Sequence, residues 1–151
     1  MQAFTLAGTT ALVALLGSTA LAQETRTFDV SLPLGAESHH AVGVLKFGEE
    51  LARLSEGRLT IRPHYDNALG AEREVVEGMG LGLIDMGITS TGPMGGFAEP
   101  FLLFDLPYIF RDHAHAHGFL DSASGDELAQ ALQDAAGVKI LGWMENGFRY
   151  E

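Results

Sequence analysis

Histidine recurs at every second position in the stretch H-A-H-A-H, which runs from His113 to His117. On a helix, His113 and His117 would lie one turn apart on one face, which is the spacing of a two-histidine metal site. The H-E-x-x-H pattern is absent, and the sequence assigns no carboxylate ligand to the pair. A solvated helix face is the favoured interpretation. A metal-dependent periplasmic enzyme that uses His113 and His117 is the alternative.

Acidic side chains are concentrated at Glu72, Glu74 and Glu77. They could form a general acid/base group, but Glu72 and Glu74 are two residues apart and diverge on a helix. A solvated helix face is again favoured. The chain also lacks a G-x-S-x-G motif, a P-loop, and a G-x-G-x-x-G motif that follows a strand and opens a helix. The sequence therefore predicts no enzymatic activity and no cofactor.

Hydroxyl groups follow a predicted strand at Thr89, Ser90 and Thr91. In open α/β sheets, ligands bind outside the carboxyl ends of the strands. Ser90 and Thr91 are therefore candidates for a binding surface. His39, near the end of the first predicted strand, could contact a ligand there or occupy a plain surface position.

Arg149 is the candidate anion anchor, because it follows a predicted strand and lies close to Asn146. An arginine side chain is a planar fork that binds a carboxylate through two parallel hydrogen bonds. The chain contains only 9 lysines and arginines, so a single arginine at this place is notable. An ordinary surface arginine remains the other interpretation.

Strands and helices alternate in the part of the chain that leads to these residues. Period-two and helical apolar spacing predict strands over residues 27–32, 59–65 and 83–88, and helices over residues 39–55 and 71–79. Ser38 is the expected N-cap of the first helix. The apolar side of that helix is expected to consist of Val42, Leu45, Leu51 and Leu54. Pro63 places the second strand at an edge or a strand end. The alternation predicts an α/β fold with a mostly parallel sheet flanked by helices.

The second half of the chain follows a different pattern. Residues 101–110 form a dense apolar and aromatic run with an internal proline, for which we expect an extended, buried connection. Helices are expected over residues 111–120 and 126–136, the second with Leu128 and Leu132 on its apolar side and Gly137 at its end. Residues 138–143 are expected to form a fourth strand.

The N-terminus resembles an export signal. Residues 6–21 are apolar or small and carry no charge, and Ala20-Leu21-Ala22 forms an A-x-A cleavage site before Gln23. No lysine or arginine precedes this run, which departs from the usual pattern. The sequence predicts a signal peptide over residues 1–22 and a periplasmic mature protein.

Composition narrows the possible partners. The chain has 151 residues, 20 acidic against 9 basic, and a net charge of −11. Such an acidic chain is not expected to bind nucleic acid or an anionic membrane surface. The absence of cysteine excludes disulfides and Cys-based zinc sites.

Five motifs occur in an order that resembles one family. They are L-G-A-E-R-E (69–74), G-L-I-D-M (82–86), T-S-T-G-P (89–93), D-L-P-Y-I-F-R-D (105–112) and E-N-G-F-R (145–149). Together they are similar to the N-terminal half of a DctP-type extracytoplasmic solute-binding protein of a TRAP transporter. Such proteins are about twice as long as this chain, so the resemblance implies a fragment or a truncated reading frame. A truncated product without function is a further alternative.

The resemblance implies an incomplete, periplasmic binding protein-like fold, the first lobe of two lobes that close on a ligand. Residues 23–137 would form that lobe, and residues 138–151 would be a strand that crosses towards the second. The ligand would be a small organic acid, handed to the membrane subunits of the transporter. Within this likeness, Arg149 matches a ligand-binding arginine, Ser90 and Thr91 match a loop that faces the cleft, and Glu72 matches a cleft-facing acid.

Overall fold

The computed structural model describes residues 24–147. Within this range, three strands and four helices follow one another, with two short 3₁₀ helices between the third strand and the third helix. The elements are β1 (Arg26–Ser31), α1 (His39–Leu54), β2 (Leu59–His64), α2 (Glu72–Gly80), β3 (Met86–Gly87), 3₁₀ helices at Gly92–Gly96 and Glu99–Asp105, α3 (His113–Leu120) and α4 (Ala123–Ala136). None of the helices in this part of the chain has the length and apolar content needed to cross a bilayer.

The sheet is parallel, with strand order β2-β1-β3. The register aligns Arg26 with Leu59, and Val30 with both Pro63 and Met86. β2 lies at an edge, as Pro63 predicts, because proline has no amide proton to donate to a strand on its free side. The predicted α/β architecture, a parallel sheet flanked by helices, is confirmed.

Two helix ends were correctly predicted from local chemistry. The Ser38 side chain accepts a hydrogen bond from the amide of Ala41, which caps α1. Gly137 ends α4 in the left-handed conformation, with φ 69°, a region that glycine adopts without steric cost.

Among the described residues, the hydrophobic core has two parts. The first lies between α1 and the sheet and is built on Val30, Leu32, Ala41 and Val44. The second joins α2, α4 and the 3₁₀ helices, and its buried members are Val76, Met94, Ala98, Phe101, Leu128, Leu132 and Val138. Leu128 and Leu132 thus form the buried side of α4, as predicted.

The buried face of α1 differs from the prediction. Val42, Leu45 and Leu54 are exposed, and the buried residues are His40, Ala41, Val44 and Gly48. Small residues allow the helix to approach the sheet closely, since a Cβ on Gly48 would lie 2.5 Å from the Ile61 side chain. Close approach therefore decided which face turned inward, and the larger apolar side chains remained outside.

β3 is shorter than the predicted strand over residues 83–88. It has two residues, and Leu83 is 78% exposed. The amide of Asp29 donates to the Asp85 carboxylate at 2.9 Å, where a longer β3 would offer a backbone carbonyl. This side-chain acceptor ends the strand pairing one residue before Met86.

The connection over residues 101–110 was wrongly predicted to be extended and buried. Glu99–Asp105 is a 3₁₀ helix with Pro100 in its first turn, where its missing amide proton costs nothing. Residues three apart align on such a helix, so Phe101 and Phe104 lie together with ring centroids 5.9 Å apart. Leu106 and Tyr108 beyond it are 58% and 98% exposed.

The predicted strand over residues 138–143 is also wrong. Residues 138–147 contain no helix or strand. Val138 is buried and Ile140 and Trp143 are partly buried against the second core. The apolar pattern therefore correctly indicated burial, but within residues 24–147 no strand pairs with this segment.

Candidate ligand-binding site

The loops that follow the three strands meet at one edge of the sheet. The amide of Ile88 donates to the carbonyl of Ser31 at 2.8 Å, and the amide of Asn67 donates to the carbonyl of Leu32 at 3.1 Å. Asp66 and Asn67 adopt left-handed φ values of 55° and 56°, which aspartate and asparagine tolerate better than most residues. These contacts build a continuous rim at the carboxyl ends of β1, β2 and β3, the usual ligand position in an α/β sheet.

Glu72 and Ser90 are joined on this rim. The amide and the hydroxyl of Ser90 both donate to Glu72 Oε2, at 2.8 and 2.5 Å. Glu72 lies in the first turn of α2, where the helix dipole also favours a carboxylate. The predicted solvated face is therefore wrong for Glu72, which is partly buried and fixes the loop after β3.

The other two glutamates of α2 have separate partners. Glu74 accepts a hydrogen bond from the amide of Ala71 at 2.9 Å, and Glu77 forms a salt bridge with Arg73 at 3.1 Å. Thr91 follows Ser90 directly, is partly buried, and precedes the 3₁₀ helix at Gly92–Gly96. The three glutamates thus do not form a joint acid/base group, while Ser90 and Thr91 share one loop.

His39 and Asn146 belong to a second group. His39 Nε2 donates to the carbonyl oxygen of Glu145 at 3.2 Å, so the start of α1 contacts the segment that carries Asn146. Both side chains are exposed. Arg149 lies outside the described residues, so its position is still a prediction.

His113 and His117 lie on one face of α3, and both contact the side chain of Glu145. His113 Nδ1 is 3.0 Å from Glu145 Oε1, and His117 Nε2 is 2.7 Å from Glu145 Oε2. The hydrogen bond from His117, and then that from His113, lowers the pKa of Glu145 below its usual value of 4.5. The predicted spacing and the predicted solvated face are both correct, because the two imidazoles are 56% and 58% exposed, and they share one carboxylate partner.

Within the part of the chain that the structure describes, these donors are not arranged as a metal site. Two imidazoles and a carboxylate are ligand types that zinc accepts, yet no group of three or more His, Asp or Glu side chains within residues 24–147 is arranged to hold a metal ion. The carboxylate oxygens of Glu145 are instead hydrogen-bonded by the imidazoles and by the amide of Gly147.

His40 is a buried residue of α1 that the sequence did not predict to be buried. It is 5% exposed, and its Nδ1 has no hydrogen-bond partner among the described residues. Burial and the neighbouring His39 lower the pKa of His40 below its usual value of 6.5, while the Glu145 backbone and the Glu72 charge act in the opposite direction. His40 is therefore within reach of both groups. In the sequence, His40 is four residues from Val44 and eight from Gly48, and this helical spacing was the signal that His40 lies on the buried face of α1.

The amino-acid sequence of the chain matches a known protein family. The model of bacterial extracellular solute-binding protein, family 7 (DctP), matches residues 32–150. The chain belongs to the DctP family. The family resemblance inferred from the five motifs is thereby confirmed.

Relatives of this DctP-family chain include two named solute-binding proteins. A solute-binding protein of Verminephrobacter eiseniae is 40% identical over 133 residues, 88% of this chain and 39% of the relative. The 2,3-diketo-L-gulonate-binding periplasmic protein of Escherichia coli is 34% identical over 113 residues, 75% of this chain and 34% of the relative.

A solved structure has the same fold. A TRAP periplasmic solute-binding protein from Polaromonas, bound to D-erythronate, superposes with a TM-score of 0.77 at 36% identity, covering 83% of this chain and 41% of that one. The DctP-family chain thus spans 34% to 41% of the length of these relatives.

Proposed function

We propose that this protein is the extracytoplasmic solute-binding component of a TRAP-type transporter and captures a small hydroxylated organic acid. The observation that carries the proposal is the Glu72–Ser90 contact at the carboxyl edge of the sheet, in a chain of the DctP family. It presents polar groups in fixed positions on the rim where an α/β sheet binds its ligand.

The chemistry of the rim suits hydroxyl groups. A serine hydroxyl that donates to a carboxylate keeps its lone pairs, and a carboxylate has about four acceptor sites. Ser90 and Glu72 can therefore accept hydrogen bonds from ligand hydroxyls, with Thr91, His39 and Asn146 as further polar contacts. Two relatives bind D-erythronate and 2,3-diketo-L-gulonate, which are both hydroxylated carboxylates.

Arg149 is the proposed anchor for the ligand carboxylate. Its guanidinium can form two parallel hydrogen bonds with a carboxylate, which a net charge of −11 would otherwise repel. Residues 1–22 would export the protein to the periplasm, where closure of two lobes retains the ligand and the membrane subunits receive it. Binding requires no chemical conversion, so the protein would have no enzymatic activity.

A thermal-shift screen of the full-length protein tests the proposal. The panel contains D-erythronate, L-galactonate, 2,3-diketo-L-gulonate and succinate, with erythritol as the uncharged control. A true ligand at about 100 times its Kd stabilises the protein by about 2.7 kcal/mol and raises its Tm. A panel of acids that leaves the Tm unchanged would argue against the proposal.

Calorimetry of two arginine variants tests the anchor. Truncating one partner of a buried charge pair costs about 2–5 kcal/mol, so Arg149→Gln should weaken acid binding about 30-fold or more. Arg111→Gln removes an exposed arginine that precedes α3 and should leave the affinity unchanged. Equal affinities of the two variants would exclude Arg149 as the anchor.

Elemental analysis separates the proposal from a metal-dependent enzyme. We expect zinc well below one equivalent in purified protein, since residues 24–147 hold no group arranged for a metal ion. Stoichiometric zinc that is lost in a His113→Gln, His117→Gln double variant would favour the enzyme.

A further inference from the structure

The segment over residues 138–147 is held in place by side chains, although it forms no helix or strand. At its start, Val138 is buried in the second core. Further along, the Trp143 ring lies 6.4 Å from the ring of Phe101, measured between centroids. Apolar packing therefore fixes the first part of the segment, and the polar end near Glu145 depends on other contacts.

Two helices hold the polar end. From α3, His113 and His117 donate to the two carboxylate oxygens of Glu145 at 3.0 and 2.7 Å. From α1, His39 donates to the carbonyl oxygen of Glu145 at 3.2 Å. One residue is thus bound through both its side chain and its backbone. The spacing of four residues makes this possible, because it places two imidazoles on one helix face.

A glycine on α1 allows the segment to come close. A Cβ at Gly43 would lie 2.7 Å from the terminal methyl carbon of Met144, so a side chain there would require this flexible methyl end to shift. Gly43 lies one helical turn after His39, so both face the segment. The Met144 side chain therefore packs on α1 next to the point where His39 contacts the carbonyl oxygen of Glu145.

We propose that His113 and His117 are positioning residues for ligand binding, which act by fixing Glu145 and hence the adjoining ligand contact Asn146. This inference rests on the proposed function, in which Asn146 and Arg149 contact the ligand. His113 and His117 themselves do not touch the ligand. A binding group works only when neighbouring contacts hold it within about 0.5 Å of its productive position, and Glu145 precedes Asn146 directly.

The charges around Glu145 agree with this role. Glu145 contacts His113 and His117 of α3 and His39 of α1. Burial lowers the pKa of His40, and the backbone of Glu145 and the charge of Glu72 in α2 both act in the opposite direction. Both imidazoles of α3 favour the ionised carboxylate, so the pKa of Glu145 lies below its usual value. His115 contacts the amide of Arg111 and the Phe110 ring, away from Glu145.

The test compares a His113→Gln, His117→Gln double variant with His115→Gln in the full-length protein. His115 is a matched control because it lies on the same helix and makes no contact with Glu145. Hydrogen exchange without ligand reports on residues 138–147, and calorimetry reports the affinity for D-erythronate. The double variant should exchange faster in this segment and bind about tenfold more weakly, the effect typical of residues that orient a ligating group. His115→Gln should match the wild type in both.

Variants of Glu145 test the same contact from its other end. Glu145→Gln keeps a carbonyl oxygen that can accept a hydrogen bond from one imidazole, so it should retain more affinity for the ligand than Glu145→Ala. If Glu145 contributed only to folding, two variants with the wild-type Tm would bind the ligand equally well. These variants also serve if the double histidine variant fails to fold.

Each outcome separates this inference from the proposed function. A wild type that binds none of the acids overturns the proposed function and the positioning role with it. A wild type that binds D-erythronate, with a double variant of equal affinity, overturns the positioning role alone. Unchanged hydrogen exchange in the double variant also overturns it, whether or not a ligand is found.

Discussion

Asp29 shows how much one side chain can organise at an exposed surface. Arg62 binds its two carboxylate oxygens at 2.6 and 2.7 Å, and His64 Nε2 lies 2.6 Å from Oδ1. All three residues lie on the face of the sheet where β1 and β2 are aligned. The hydrogen bond from Arg62, and then that from His64, moves the pKa of Asp29 far below its usual value of 3.8.

Replacing Asp29 with asparagine should therefore lower the Tm at neutral pH. The asparagine carries no charge to pair with Arg62, although it can still accept one hydrogen bond. Asp105→Asn is the control, because Asp105 has no salt bridge among the described residues and should change the Tm little. Differential scanning calorimetry at pH 7 measures both, and equal Tm values would mean that the Asp29 pairs do not stabilise the fold.

The Glu72–Ser90 contact should be visible in stability as well as in binding. Ser90→Ala removes a hydrogen bond to a charged group, which is worth about 1.5–3 kcal/mol. Urea unfolding should report a loss in that range. Ser124→Ala is the control, because Ser124 lies in α4, where alanine is the better helix former. A Ser90→Ala protein as stable as the wild type would show that the amide of Ser90 alone holds Glu72.

At the scale of elements, the turn between α3 and α4 depends on a glycine. Gly125 is buried in the first turn of α4, and a Cβ there would lie 1.8 Å from the carbonyl oxygen of Leu120. Gly118 lies in α3, where nothing is within 4 Å of an added Cβ. The two glycines are close in sequence, but only Gly125 is required for packing.

Alanine substitutions should consequently have opposite effects at these two positions. Gly125→Ala forces α3 and α4 apart, and overpacking of this kind costs about 1–3 kcal/mol. Gly118→Ala should stabilise the protein by about 0.5–1 kcal/mol, since alanine loses less backbone entropy in a helix. Chemical denaturation measures both changes. A neutral Gly125→Ala would mean that the turn can widen without loss.

At the scale of the whole molecule, the folded state should lose stability over two separate pH ranges as the pH falls. His40, with a pKa below 6.5, binds a proton more weakly when folded, so its contribution to stability is present above pH 6.5 and is lost as the pH falls. Asp29, Asp85 and Glu145 also have lowered pKa values, from usual values of 3.8, 3.8 and 4.5. Their contributions are present above those values and are lost below them.

We therefore expect the Tm to fall slightly between pH 7 and 5.5 and more steeply below pH 4.5. His40→Asn should remove the first, shallow decrease, while His115→Asn should keep it. Calorimetry across this pH range measures the effect. A Tm that rises as the pH falls from 7 to 5.5 would contradict the sign argued for His40.

The sequence by itself determined the first two strands and the four helices, but not the 3₁₀ helix at Glu99–Asp105 or the irregular segment over residues 138–147. Strands 27–32 and 59–65, the helices, the cap at Ser38, the end at Gly137 and the edge position of Pro63 all follow from contacts within a few residues. These features depend on residues that are close in sequence, so they do not require knowledge of how distant elements pack. The ordered motifs also indicated the family, and the hydroxyl-rich loop at Ser90 lies on the predicted edge of the sheet.

Only the tertiary structure decided which faces were buried and which distant side chains met. α1 buried His40 rather than Leu45 because Gly48 permits close approach to Ile61. Glu145 met His113 and His117 across 32 and 28 residues of sequence. Such pairs depend on how separate elements pack, which spacing within one element cannot specify. In the folded chain, the histidines whose spacing suggested a metal site therefore bind a carboxylate.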